Sequence, residues 1–106
     1  MSDNVDVPSD DLLAAAAALD RLAAAATGGD WRLRGLLATR PEVVARHDDG
    51  TTEHVAEARS RSARWIAALS PQLAPSLAEW LRSAARQDEP DPAALAFAHA
   101  LLERLT

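Results

Sequence analysis

Between residues 27 and 56 the chain changes its rule, and that change limits what it can fold into. An alanine-rich helical pattern stops at Thr27-Gly28-Gly29. A short extended insert follows, with Trp31 at its start and Asp49-Gly50 at a turn in its middle. Helical patterning then resumes to the end. Strand-type segments embedded between helices need a sheet that finds cover among those helices, so the expected class is α+β. The architecture expected is an N-terminal helix, a small antiparallel β-sheet with a hairpin, and three C-terminal helices.

Residues 1–8 are polar and acidic and predict a disordered tail, leaving 9–106 as a single domain. Ser9 suits an N-cap, with Asp10 and Asp11 where a helix dipole favours negative charge. The first helix is predicted to run to about Ala26. Leu12, Ala15, Leu19, Leu22, Ala23 and Ala26 form its apolar face. Gly28 is the expected stop. From Asp30 to Leu37 the residues alternate, with Trp31, Leu33 and Gly35 on one side and Arg32, Arg34 and Leu36 on the other. Arg40-Pro41 breaks the pattern. Glu42–His47 and Thr51–Ala56 flank Asp49-Gly50, which predicts a type I′ hairpin with Val44 facing Val55 and Arg46 facing Glu53.

A second helix is predicted from Glu57 or Ala58 to Leu69, with Ser62, Trp65, Ile66 and Leu69 on one face. Ser70-Pro71 restarts the chain as N-cap and first helical residue. Pro75 makes this third helix regular only from about that point. Its stripe is Leu73, Leu77, Trp80, Leu81 and Ala84. Asp91-Pro92 repeats the cap-plus-proline start for the last helix. Leu95, Ala98, Leu102 and Leu105 are its core face, with Phe97 and Leu101 beside them.

Composition limits both packing and chemistry. Twenty-five of 106 residues are alanine, so large apolar anchors are few. Each contributes roughly 1.5–3 kcal/mol when buried, which leaves dimerisation as a way to complete the core. An exposed Leu12/Leu19/Leu22 stripe would favour a dimer. All eleven basic residues are arginine, a bias of GC-rich coding. Cysteine is absent, excluding disulfides, thiol catalysis and cysteine-based zinc sites. No apolar run approaches the ~20 residues a membrane span needs, and no signal peptide is visible. The expected location is the cytoplasm.

The net charge of −5 is uneven. Residues 31–64 hold seven arginines against five acids, inside an otherwise acidic chain. Overall acidity argues against non-specific nucleic-acid coating but leaves room for a local arginine site.

Three stretches, in this order, carry a resemblance. Ala24-Ala25-Ala26-Thr27-Gly28-Gly29-Asp30-Trp31 resembles the alanine-threonine-proline-glycine-proline-tryptophan signature of small phage accessory proteins, although the prolines are not kept here. Ala63-Arg64-Trp65-Ile66-Ala67-Ala68-Leu69-Ser70-Pro71 resembles their next signature, an alanine-rich segment with a central isoleucine ending in proline. Leu77 to Leu81, followed by Pro92 to Leu102, resembles the tail of the actinophage versions. The family is the Ead/Ea-like proteins of lambdoid phages, with their actinobacterial and actinophage relatives. The resemblance implies a setting, a phage or prophage accessory gene, and carries no catalytic residues with it.

Candidate sites are arginine and tryptophan constellations. Arg59, Arg61 and Arg64 open the second helix, and Arg32 and Arg34 would approach from the sheet. Guanidinium groups so gathered would grip phosphate or an acidic partner; the plain alternative is a solvated surface paired with Glu57 and Glu53. Trp65 and Trp80 are expected in the core. Trp31, at an element boundary, is a candidate anchor for a partner. His47 and His54 are expected diagonally placed on one sheet face, near Asp48, Asp49 and Glu53. Zinc needs three or four converging ligands, so a polar turn is expected there rather than a metal site. His99 faces no obvious acid. No serine has a histidine and carboxylate at a catalytic spacing, and no cofactor or metal is expected.

The leading expectation is a non-catalytic accessory protein that binds or inhibits a host or phage protein, such as a defence, regulatory or toxin component. Next comes a nucleic-acid or nucleotide-phosphate binder using the arginines. Last is a hydrolase-like enzyme, which requires His47, His54 or His99 to meet a nucleophile in a pocket.

Overall fold

A computed structural model describes residues 7–35 and 41–105. The chain is α+β, as its pattern requires. Helix α1 (Val7–Ala25) precedes an antiparallel sheet of β1 (Asp30–Arg34), β2 (Glu42–Arg46) and β3 (Thr52–Glu57), with β2 in the centre. Helix α2 (Ser60–Ala68), a 3-10 turn (Pro71–Leu73), α3 (Ala74–Ala85) and α4 (Pro92–Arg104) follow. Two compact units result: Met1–Leu22 with Ala74–Thr106, and Ala23–Leu73. Among the described residues, no helix is long and apolar enough to cross a membrane.

The first unit is helical. Its core joins Leu12, Ala15 and Ala16 of α1 to Ala78, Leu81 and Ala84 of α3 and to Ala94 and Ala98 of α4. Six of these eight buried residues are alanine. Small side chains let the helices approach closely, and Leu12 and Leu81 fill the space that remains. Leu19, Leu95, Phe97, Leu101 and Leu102 pack partly buried around the margin. Because Leu12 is covered and Leu19 partly so, α1 packs within the chain; only Leu22 of the expected stripe is exposed.

Polar contacts tie these helices together. Ser9 is not a cap: α1 begins at Val7, within the expected tail, and Ser9 Oγ donates to the Ala85 carbonyl at 3.2 Å. Residues 1–6 lie outside the described residues. Arg82 pairs with Asp20, which holds the guanidinium above its ordinary pKa. His99, expected to face no acid, has Nε2 2.8 Å from Asp11 Oδ2. Asp91 caps α4 as its sequence predicts, accepting from the Ala93 amide at 3.1 Å with proline in the first turn.

The α3 stripe is turned from its expected phase. Ala74, Ala78, Leu81 and Ala84 face inward, while Leu73 and Trp80 are exposed. Trp80 stands at the margin against Phe97, with ring centroids 5.6 Å apart. Leu105, expected in the core of α4, is exposed too. The Ser70-Pro71 restart is a 3-10 turn, closed by the Leu73 amide on the Ser70 carbonyl at 3.0 Å, before the regular helix begins at Ala74.

In the second unit, α1 ends at Ala25 and Gly29, rather than Gly28, takes the left-handed conformation (φ 90°). A Cβ there would sit 3.0 Å from the Arg46 carbonyl, which makes Gly29 a close-approach position as well. Leu36, Leu37 and Arg40, expected to extend and end the first strand, lie outside the described residues.

The hairpin differs from expectation by one residue. Arg46 pairs with Thr52, Ala45 with Glu53 and Val44 with His54, and a bulge between Val43 and Val44 shifts the register to Val43–Ala56. The Gly50 amide bonds the His47 carbonyl at 2.9 Å, and the His47 amide bonds the Thr51 carbonyl at 2.9 Å. This is a three-residue connection: a type I turn through Asp48 and Asp49, then Gly50 left-handed at φ 86°. A type I′ turn would force Asp49 to positive φ, which no described non-glycine residue adopts. Asp49 instead uses Oδ1 to accept from the Thr51 amide (3.0 Å) and hydroxyl (2.6 Å), bonds that hold its carboxyl below the usual range.

Candidate functional site

The register divides the sheet into two faces. On one, Trp31 and Leu33 of β1 neighbour Ala45 and Val43 of β2, both fully buried. Helix α2 packs on β1 and β2 and covers this apolar face, with Ala63 fully buried against it. The opposite face carries Arg32, Arg34, Glu42 and His54 around Val44. The side chains of Arg32, Arg34 and His54 stay largely in solvent, with 60% of Arg32 and 54% of Arg34 exposed, while Glu42 between them is more covered.

Arg32 and Arg34 therefore do not join the arginines of α2. Strand alternation sends them to the face that α2 leaves open, where each has a carboxylate of its own. Arg32 Nε lies 2.6 Å from Asp30 Oδ2. Arg34 donates from Nε (3.0 Å) and Nη2 (2.8 Å) to Glu42 Oε1, and from Nη1 to the Thr52 hydroxyl. His54 Nδ1 lies 2.6 Å from Glu42 Oε2. His54 and then Arg34 hold the Glu42 carboxyl below its ordinary pKa.

The two hairpin histidines also separate. His47 lies on the side of Glu53, 3.1 Å from its Oε1, and His54 lies on the side of Glu42. The expectation that they share a face fails because the real turn is one residue longer, and a one-residue slip moves a side chain to the other face. Among the described residues, no three histidine or acidic side chains gather as a metal would need. Trp31 is half-buried, and its indole N–H donates to the Thr27 carbonyl at 2.9 Å, bracing the Gly28-Gly29 turn. A shallow depression on α4 is lined by Ala100, Glu103 and Arg104.

The informative surface is the outward face of α2. Its inward side is Ala63, Ile66, Ala67 and Ser70, about one residue (~100°) round from the predicted stripe. Trp65 consequently points away from the sheet and is 68% exposed, with Leu69 at 52% one turn on. Arg61 precedes Trp65 by one turn, and Arg64 and Ala68 flank it, all exposed. The core position expected for Trp65 is thus overturned. Alanine allows the helix to lie close on the sheet, whereas an inward tryptophan would hold it off.

The start of α2 departs from ordinary helix electrostatics. Arg59 occupies the N-cap without a side-chain hydrogen bond, and the first turn holds no acid. Arginines near a helix N-terminus oppose its dipole, at about 0.3–1 kcal/mol each when exposed. None of Arg59, Arg61 and Arg64 forms an ion pair with a carboxylate among the described residues. Glu53, one expected partner, is engaged by His47, and Glu57 belongs to β3. The surface thus combines an exposed indole, an exposed leucine and open guanidinium groups. Compared with protein-family models, curated proteins and solved structures, the chain matches none.

Proposed function

We propose that this chain is a small phage- or prophage-type accessory protein that binds another protein and does so through the outward face of α2. The target class is a host defence, regulatory or toxin component, in the cytosol, and the action is binding or inhibition without catalysis. The observation that carries this reading is Trp65, 68% exposed between Arg61, Arg64 and Leu69. Tryptophan and arginine dominate binding hot spots, where a buried aromatic anchor is ringed by groups that exclude water. A solvent-facing tryptophan on a helix that packs through alanine contributes little to the fold itself.

Nucleic-acid or phosphate binding is the second reading, favoured by the same open arginines and by the capacity of an indole to stack on a base. It ranks lower because Arg32 and Arg34 lie on the other face with carboxylates attached, and because the whole chain is acidic.

The test is a tagged pull-down from an actinobacterial lysate, with and without nuclease, comparing the native chain with Trp65→Ala. A stoichiometric protein that survives nuclease and is lost with Trp65→Ala is the expected result. Recovery of nucleic-acid-dependent material alone would replace this reading with the second.

A further inference from the structure

We infer that the partner of the α2 face is an acidic, amphipathic protein segment, one presenting apolar side chains flanked by carboxylates. This rests on the protein-binding reading above and adds the chemistry of what is bound.

Charge on α2 is placed against the interest of the fold. Arg59, Arg61 and Arg64 crowd the positive end of α2, with no acid in its first turn and no side-chain cap. Four arginines elsewhere are matched, Arg32 to Asp30, Arg34 to Glu42, Arg82 to Asp20 and Arg86 to Glu79, whereas Arg21, Arg46 and Arg104, like those of α2, have no ion pair among the described residues; what sets α2 apart is that its arginines gather around an exposed tryptophan. The α2 arginines hold no described carboxylate, so their bidentate donor sets remain open to an outside acid. A local rule broken without gain to the fold is expected where a surface serves binding.

Shape and charge together select the occupant. Arg61, Trp65 and Leu69 follow one another at four-residue spacing, forming a ridge about 12 Å long on one side of the helix. Trp65 and Leu69 supply apolar area, and the guanidinium groups of Arg61 and Arg64 flank it. A segment with apolar residues between carboxylates complements both features at once. A second copy meeting this face through its own α2 would bring like charges together. A nucleic acid would carry dense negative charge past a chain of net charge −5, whereas a short acidic segment meets only the basic face.

The test places a photoreactive benzophenone amino acid at position 68, exposed beside Trp65, and illuminates the full chain in nuclease-treated actinobacterial lysate. The crosslinked peptide is sequenced. The same experiment is run with Arg61→Glu and Arg64→Glu together, and the melting temperature of that double variant is measured. The expected result is a crosslink to a segment rich in Asp and Glu with interspersed apolar residues. Its yield falls about tenfold or more in the double variant, while Tm stays level or rises by a few degrees. A crosslinked protein segment that is neutral or basic, or a yield unchanged by charge reversal, would overturn the inference and leave protein binding intact. A crosslink to a second copy of this chain would overturn it likewise. Absence of any protein crosslink from a chain of native melting temperature would remove both.

Discussion

Helices α2 and α4 are built from similar residues and are used in opposite ways. Helix α4 opens on a capping aspartate and a proline, closes with Arg104 in its last turn, and sets Phe97 against Trp80 at the margin of an alanine and leucine core. Each of these choices favours the helix or its packing. Helix α2 opens on an uncapped arginine, has no acid in its first turn and no base in its last, and turns its tryptophan to solvent. Both bury alanine. What differs is where the large and charged side chains go, and that separates a helix serving the fold from one offering a surface.

Charge follows the same division. The unit containing α4 holds ten acids against four arginines, and the unit containing α2 holds six acids against seven arginines. The contrast is open to breakage, first on the side of the fold. Leu81→Ala removes one of the two leucines that fill the helical core and is expected to cost about 2–5 kcal/mol. Denaturant unfolding reads this as a lower midpoint. A loss below 1 kcal/mol would mean that the alanine-lined core closes over the gap. In the sheet unit, Gly29→Ala meets a left-handed backbone and the Arg46 carbonyl together, for an expected cost of ~1–2 kcal/mol. Gly50, with the same sign of φ but open space around its Cα, serves as the control.

A smaller effect sharpens the comparison of helix starts. Asp91→Ala removes the α4 cap and should cost about 1 kcal/mol. Arg59→Ala at the corresponding position of α2 removes no cap bond and should cost nothing measurable. Equal losses in thermal unfolding would show that the two helix starts do not differ in capping. The smallest effect concerns the open face of the sheet. The folded Glu42 carboxyl titrates below its unfolded value, so its contribution is complete at neutral pH. That contribution is lost as pH falls below the ordinary glutamate range, about 4.5, and through the lowered folded value. Replacing Glu42 with Gln should flatten the acid limb of the stability profile, whereas an unchanged limb would show that the His54 and Arg34 contacts do not persist in solution.

Much of the fold is legible in the residues. The switch from helix to strand at Thr27-Gly28-Gly29, the antiparallel hairpin, the place of its turn near Asp49-Gly50 and the Asp91-Pro92 helix start all follow from local chemistry that the structure keeps. The phases were harder to read. Apolar periodicity weights Trp65 and Trp80 heavily and alanine lightly, yet alanine is the packing residue of this chain: Ala63, Ala78 and Ala98 are fully buried while both tryptophans are exposed. The hairpin slipped by one residue because Asp-Gly suits either a two-residue or a three-residue connection. The choice is made by the Asp49 bonds to Thr51 and by the steric cost of positive φ at aspartate.

The candidate site was legible in part. Arg59, Arg61, Arg64 and Trp65 stand out in the sequence, but their grouping depends on which side of α2 meets the sheet. Leu69 carries no local signal of a site residue, because its spacing from Ser62, Trp65 and Ile66 places it on the apolar stripe. Arg59 at the N-cap and Arg61 in a first turn without an acid, with Arg64 one turn on, fit a binding surface better than a folding helix. The separation of Arg32 and Arg34 from them follows from strand alternation combined with the face that α2 covers. The contact of His99 with Asp11 spans 88 positions, and no local pattern reports it.

The most direct test of the α2 surface is the unfolding free energy of Trp65→Ala. A tryptophan that faces solvent leaves the stability within about 0.5 kcal/mol of the native chain, and this is the result expected. A loss of about 3–5 kcal/mol, the cost of emptying a core tryptophan site, would put Trp65 inside the molecule and leave the proposed binding face without its anchor.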